Sequence, residues 1–169
     1  RGSDLVLDVE GARRFRGGRA IVYPPHGEPN QCFSFDEACR LSPGHATALC
    51  LDAKGGGALA VGTELIFWSK KKTIAEAGNQ AFALDGDGYL VAKGSEGLVA
   101  GARLDPEDPG CGGPLLLCVR DSALALRWAW RPAEFYPGIS DAVPEAPGHA
   151  KHVSIAVDSP QPPQFAVSL

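Results

Sequence analysis

The chain has 169 residues, 44 % hydrophobic and 21 % charged, with 21 glycines and 14 prolines. That length suits one domain with a substantial core, and the turn-rich composition suits many short strands better than a helical bundle. A net charge of −4 excludes the basic footprint of a nucleic-acid binder, and no apolar run approaches the roughly 18 residues that would insert through a bilayer.

With arginine at position 1 and no methionine, the chain reads as a mature form, a processed chain or a piece of a longer protein. The opening Arg1-Gly2-Ser3 is set aside. The first elements are DLVLDVEG (4–11), GGRAIVYP (17–24) and NQCFSF (30–35). Each is short, apolar or alternating, and bounded by Gly, Pro, Asp or Asn, which marks strands and turns. ACRL (38–41) is a further candidate strand. ALCLDAKG (48–55), GTELIFWS (62–69) and NQAFAL (79–84) then repeat the same parts in the same order. An apolar strand carries an Asp, a Gly-rich turn follows, a second strand ends in an aromatic, and Asn-Gln-x-Phe comes after a loop. Asp8 to Asp52 is 44 residues, Tyr23 to Trp68 is 45 and Asn30 to Asn79 is 49. GYLVAK (88–93) is another extra strand. A third, worn copy reads GLVAGARL (97–104), GGPLLLCV (112–119) and ALRWAW (125–130). From Arg131 the tail is rich in Pro and Ala, with two apolar segments, HVSIAV (152–157) and QFAVSL (164–169).

Three repeats of about 45 residues, spanning about 4–36, 37–85 and 86–131, predict a single all-β domain over 4–169 that closes with threefold pseudosymmetry. Closure removes exposed strand edges. Phe33, Phe82 and Trp128 occupy one position in the three copies and are expected to fill the shared core. Little precedes Leu5, so a segment of the tail (132–169) is expected to return beside the N-terminus as a closing strand.

The repeated Asp…aromatic…Asn-Gln-x-aromatic pattern resembles that of the ricin B-like (R-type) lectins, over about residues 4–130. The resemblance implies a β-trefoil that binds sugar in shallow pockets, one per intact repeat. In that family the Asp accepts hydrogen bonds from two neighbouring hydroxyls, the aromatic stacks on the C–H face of the ring, and the Asn completes the polar contacts. By motif position the carbohydrate-binding residues are Asp8, Tyr23 and Asn30 in repeat one, and Asp52, Trp68 and Asn79 in repeat two. Gln31 and Gln80 are structural. The implied partner is a glycan, with a galactose-type sugar as one candidate.

There are departures. Ile21 and Ile66 stand where the family often has Gln. In the third copy Gly101, Cys118 and Ala125 replace the Asp, aromatic and Asn, so no sugar is expected there. Cys50 occupies a family half-cystine position, but the usual partner position, near Lys70, holds no cysteine. Five cysteines leave at least one unpaired, which leans toward an intracellular compartment without excluding secretion.

Blander roles stand beside these. Asp8 and Asp52 could cap the following turns, and Tyr23 and Trp68 could be packing residues. Lys70-Lys71-Lys72 reads as a solvated loop, and His26, His45, His149 and His152 are scattered. Asp85-Gly-Asp-Gly88 reads as a hairpin turn, lacking most of a calcium loop. Neither a nucleophile motif, a phosphate loop nor a metal-ligand cluster appears, so the chain is expected to be non-enzymatic, with no cofactor and no metal. The competing reading is a β-trefoil protein-interaction or regulatory domain with a protein partner, whose sign would be an apolar surface patch on the third copy.

Overall fold

Alternation with a period of two sorts every strand into an inward and an outward set. The computed structural model describes residues 5–73, 76–132 and 153–158. Repeat one contributes β1 (Val6–Val9), β2 (Gly18–Tyr23) and β3 (Phe33–Phe35), and β4 (Leu41–Pro43) follows just past its expected end at about residue 36. Repeat two contributes β5 (Leu49–Ala53), β6 (Leu65–Ser69) and β7 (Phe82–Leu84), and β8 (Leu90–Ala92) again follows just past its expected end at about residue 85. Then come β9 (Val99–Ala102), β10 (Gly113–Cys118), β11 (Arg127–Pro132) and β12 (Val153–Asp158).

Three hairpins, β1–β2, β5–β6 and β9–β10, form the barrel wall. Strand β2 joins β10 through Gly113 and Val22, and joins β6 through Gly18 and Phe67. The ring closes between β6 and β10, where Leu117 N–H donates to the Thr63 carbonyl at 2.9 Å and Glu64 bridges Leu116. Three further antiparallel pairs, β3–β4, β7–β8 and β11–β12, lie beside the wall, and β8 pairs β9 through Val91 and Val99. Strand β12 also pairs β1 (Val6 with Ala156) and β3 (Val153 with Phe33). QFAVSL (164–169) lies outside the described residues.

One candidate strand is displaced. ACRL (38–41) is mostly a turn, and the strand starts at its last residue, Leu41. The Asp36 carboxylate accepts from the Ala38 and Arg40 amides, both at 3.0 Å, which bends the chain before pairing can begin. Cys39 within this turn has φ 61°.

The inward set of the wall includes Leu7, Val9, Ala20, Val22, Leu51, Phe67, Ala100, Leu115 and Leu117, all buried. Phe33, Phe82 and Trp128 are buried in the same core, one from each copy. Phe33 stacks on Phe67 with ring centroids 5.8 Å apart. An apolar barrel interior leaves the outward set free to carry chemistry. On β1 and β2 the outward residues are Val6, Asp8, Ile21 and Tyr23, because Asp8 faces Ile21 and Val6 faces Tyr23. On β5 and β6 they are Cys50, Asp52, Ile66 and Trp68, in the same register.

Candidate functional site

The outward carboxylates are almost fully covered, Asp8 at 2 % and Asp52 at 4 % exposure. A buried carboxylate requires donors. The 3-10 turns Pro29–Gln31 and Gly78–Gln80 supply them. Asn30 Nδ2 donates to Asp8 Oδ1 and Gln31 Nε2 to Asp8 Oδ2, each at 2.7 Å. In repeat two, Asn79 Nδ2 donates to Asp52 Oδ1 at 2.9 Å and Gln80 Nε2 to Asp52 Oδ2 at 2.8 Å. The carboxylates therefore engage the Asn-Gln pair instead of capping the Gly-rich turns.

Gln31 and Gln80 are wholly buried and fully engaged. Gln31 Nε2 also donates to the Pro24 carbonyl, and its Oε1 accepts the His26 amide. Gln80 does the same with the Ser69 carbonyl and the Lys71 amide. Each glutamine thus locks the strand-end loop to the carboxylate, a structural role.

That shared wiring makes His26 and Lys71 equivalent positions, each three residues beyond its aromatic. Sequence reasoning missed both. The Glu28 amide donates to His26 Nδ1, so the neutral ring carries its proton on Nε2 and donates it to Asp8 Oδ2 at 3.0 Å. Lys71 Nζ instead donates to Asn79 Oδ1 at 2.6 Å. The only signal was the common offset, since the local sequences, YPPH and WSKK, are unlike.

Each carboxylate floors a pocket. The first, of 660 Å³, takes in Asp8, Ile21, Tyr23, His26 and Asn30, and the third-copy segment Cys111–Pro114 forms its far wall. The second, of 550 Å³, takes in Asp52, Ile66, Trp68, Lys71 and Asn79, with the turn glycines Gly55 and Gly56 opposite. Tyr23 and Trp68 stand at the rims, 44 % and 36 % exposed, so they are not core residues. The Arg16 guanidinium lies over one face of Trp68, 5.3 Å from a ring centroid. The structure therefore brings Asp8, Tyr23 and Asn30 together in one pocket, and Asp52, Trp68 and Asn79 in the other.

Burial pushes the Asp52 carboxyl above the ordinary aspartate range, opposed by the Gln80 bond, the Lys71 charge and the Asn79 bond. Protonation therefore favours the folded chain. This contribution to stability is complete below the unfolded-state pKa and is lost as pH rises through the higher folded-state one. A carboxyl carbon NMR titration should place the Asp52 midpoint above that of an ordinary aspartate, and Lys71→Gln should raise it further. A midpoint indifferent to that substitution would show that the ammonium is not felt at the carboxylate.

Among the described residues, the third copy has no such carboxylate floor. Gly101 faces Leu116 and Val99 faces Cys118 in the same register. Leu126 stands where Gln31 and Gln80 stand, and Asp, Asn and Gln are lost together. Val99, Leu116 and Cys118 are buried as a small cluster, with Tyr89, Val91, Leu124 and Ala125 packed on it. The apolar replacement is thus internal, and the surface patch expected of a protein-binding third copy does not form from these residues.

The five cysteines are all free thiols. Burial pushes Cys32 up to about 11 and Cys50 up to about 12, so both behave as small apolar groups. Asp85 accepts from the Asp87 and Tyr89 amides, making Asp85–Gly88 the β7–β8 turn.

Neither a family model nor a curated protein matches the sequence. Solved structures do match the fold. The designed threefold-symmetric protein ThreeFoil aligns with TM-score 0.54 and 21 % identity, covering 92 % of this chain and 96 % of that one. The C-terminal half of an earthworm R-type lectin, solved with GalNAc, aligns at 0.50 and 12 % identity, covering 94 % and 100 %. A non-toxic homologue of type II RIPs from bitter gourd (Momordica charantia), solved with α-methyl-D-galactoside, aligns at 0.53 and 21 % identity. That alignment covers 67 % of this chain and 38 % of the bitter gourd one. The all-β architecture, the threefold arrangement of hairpins and these likenesses agree: the chain is a β-trefoil, with the fold of the ricin B-like, R-type lectins.

Proposed function

We propose that this protein is a carbohydrate-binding, lectin-like module with two sugar sites, Asp8–Tyr23–Asn30 and Asp52–Trp68–Asn79, and that it carries out no reaction. The observation that carries the reading is a pinned, buried carboxylate beneath an exposed aromatic, made twice in the same register. A carboxylate offers about four acceptor positions. Among the described residues, Asp52 accepts two side-chain bonds and Asp8 three, His26 included, so both retain capacity for sugar hydroxyls. The rim aromatic supplies apolar area for the C–H face of a ring, and its two χ angles lose little entropy. Asn30 and Asn79 orient the carboxylates. The sugars in the earthworm and bitter gourd structures, GalNAc and a methyl galactoside, favour a galactose-type ligand. Shallow sites bind weakly, so avidity would come from engaging both.

The test is a glycan array followed by calorimetry with methyl β-galactoside. The Asp8→Ala, Asp52→Ala double variant should lose roughly 100-fold or more in affinity, as expected when charged hydrogen-bond acceptors are removed. Circular dichroism would verify its fold. Undiminished binding by the folded double variant would refute the site assignment. A blank array with folded wild-type protein would favour the protein-interaction reading, for which Ile21 and Ile66, apolar residues lining the two pockets, are the supporting observation.

A further inference from the structure

The two pockets share a floor but not a charge. The first is lined by three acids, Asp8, Glu10 and Glu28, against one cation, Arg19. The second is lined by two acids, Asp52 and Glu64, against three cations, Arg19, Lys54 and Lys71. Arg16 adds a fourth positive charge at the rim of the second, over the Trp68 ring. At the equivalent positions beside the floor, the first pocket places the imidazole of His26 and the second the ammonium of Lys71.

Lys71 is the decisive group. Lys54 has its counter-ion, with Nζ 2.6 Å from Glu64 Oε2, and Arg19 leans toward Glu10 at 3.6 Å. The Lys71 ammonium is spent differently. It donates to a neutral amide oxygen, Asn79 Oδ1, and an ammonium carries three donors. Its head reaches across to the opposite turn, where a Cβ added at Gly56 would stand 3.6 Å from Nζ. A partly covered cation on a low-dielectric wall, held between the Asn79 floor and the Gly56 rim, is worth more than one in open solvent.

We propose that the second pocket is selective for anionic sugars, a hexose bearing a carboxylate or a sulfate, with the anion received by Lys71, while the first pocket takes neutral sugars. This inference rests on the lectin reading of the two pockets. The ring of such a sugar would sit over Asp52 and against Trp68. Its acidic substituent would point toward Lys71 and away from the Asp52 oxygens, so that the two like charges are separated by the ring.

The experiment follows the Trp68 indole N–H by two-dimensional NMR of the full chain, so that only the second pocket is read. Three probes are titrated: methyl β-galactoside, its 6-sulfate and methyl galacturonate. At low salt, at least one anionic sugar should bind at Trp68 roughly tenfold tighter than the neutral one, the gain of a hydrogen bond to a charged group. A gain with both would mark recognition of charge, and a gain with one would identify the anion. The advantage should shrink several-fold in about 0.5 M salt. Lys71→Gln, which keeps a donor for Asn79, should remove most of the advantage, read as the ratio of anionic to neutral affinity within the same variant, and a ratio equal to that of the wild type would overturn the role of Lys71. Equal affinity for neutral and anionic sugars at Trp68 would overturn the selectivity while leaving the lectin reading intact. No shift with any of the three sugars would overturn the lectin reading of this pocket, and the selectivity with it.

Discussion

Gln80→Leu is expected to destabilise the fold by about 3 kcal/mol, because it leaves one buried carboxylate and two half-buried backbone groups unpaired while changing volume little. The glutamine donates to Asp52 Oδ2 at 2.8 Å and to the Ser69 carbonyl at 3.0 Å, and it accepts the Lys71 amide at 3.0 Å. No other substitution would test so directly whether the pocket floor is one network. The third copy shows how the cost is avoided, since there leucine at the equivalent position (Leu126) is accompanied by Gly101 in place of the acid. Combining Gln80→Leu with Asp52→Ala removes the buried carboxylate together with its donor. The pair should therefore cost at least about 1 kcal/mol less than the sum of the two single substitutions. Urea unfolding of the four proteins of this cycle at pH 7 measures the coupling. Strict additivity would mean that Gln80 and Asp52 do not act as a unit.

Gly101→Ala is expected to cost about 3 kcal/mol as well, by overpacking rather than by orphaned polar groups. A Cβ at this position would stand 2.3 Å from the Leu124 carbonyl oxygen and 2.6 Å from Cys118 Sγ. The carbonyl cannot retreat easily, because it accepts the Ala102 amide at 2.9 Å and the Gly101–Ala125 bridge holds the same segment. The melting temperature should fall by roughly 10 °C for a domain of this size. Gly101→Asp would be worse, so a third pocket cannot be made by restoring the acid alone. An alanine variant that melts with the wild type would show that the Leu124 segment yields, and the third copy would then be open to re-engineering.

The fold and the pocket floors were legible for one physical reason. A polar residue on the outward face of an apolar strand stands out, and Asp8, Asn30 and Gln31 recur as Asp52, Asn79 and Gln80 at nearly constant offset. The inward set was equally plain, as Phe33, Phe82 and Trp128 show. What escaped notice was whatever depends on closure. The wall of the first pocket, Cys111–Pro114, comes from the third copy, some eighty residues downstream in the chain. Arg16 reaches the second pocket from repeat one. No local pattern announces either. Lys71 was hidden differently, since a lysine run reads as solvated surface, whereas its amide donates to Gln80 Oε1 and its Nζ to Asn79 Oδ1, which together hold it over the floor. The displaced ACRL strand failed through a side chain, Asp36, that outcompetes the ladder locally.

The pairing of Val6 with Ala156 sets a schedule for folding. Strand β1 leaves the ribosome well before β12, because this neighbour lies about 150 residues later in the chain. At roughly 5–20 residues per second of synthesis, β1 waits on the order of ten seconds or more for β12. During that interval its free edge can pair with any other nascent strand. The arrival of β12 between β1, β3 and β11 is a closure of high contact order and should be the slowest phase of refolding.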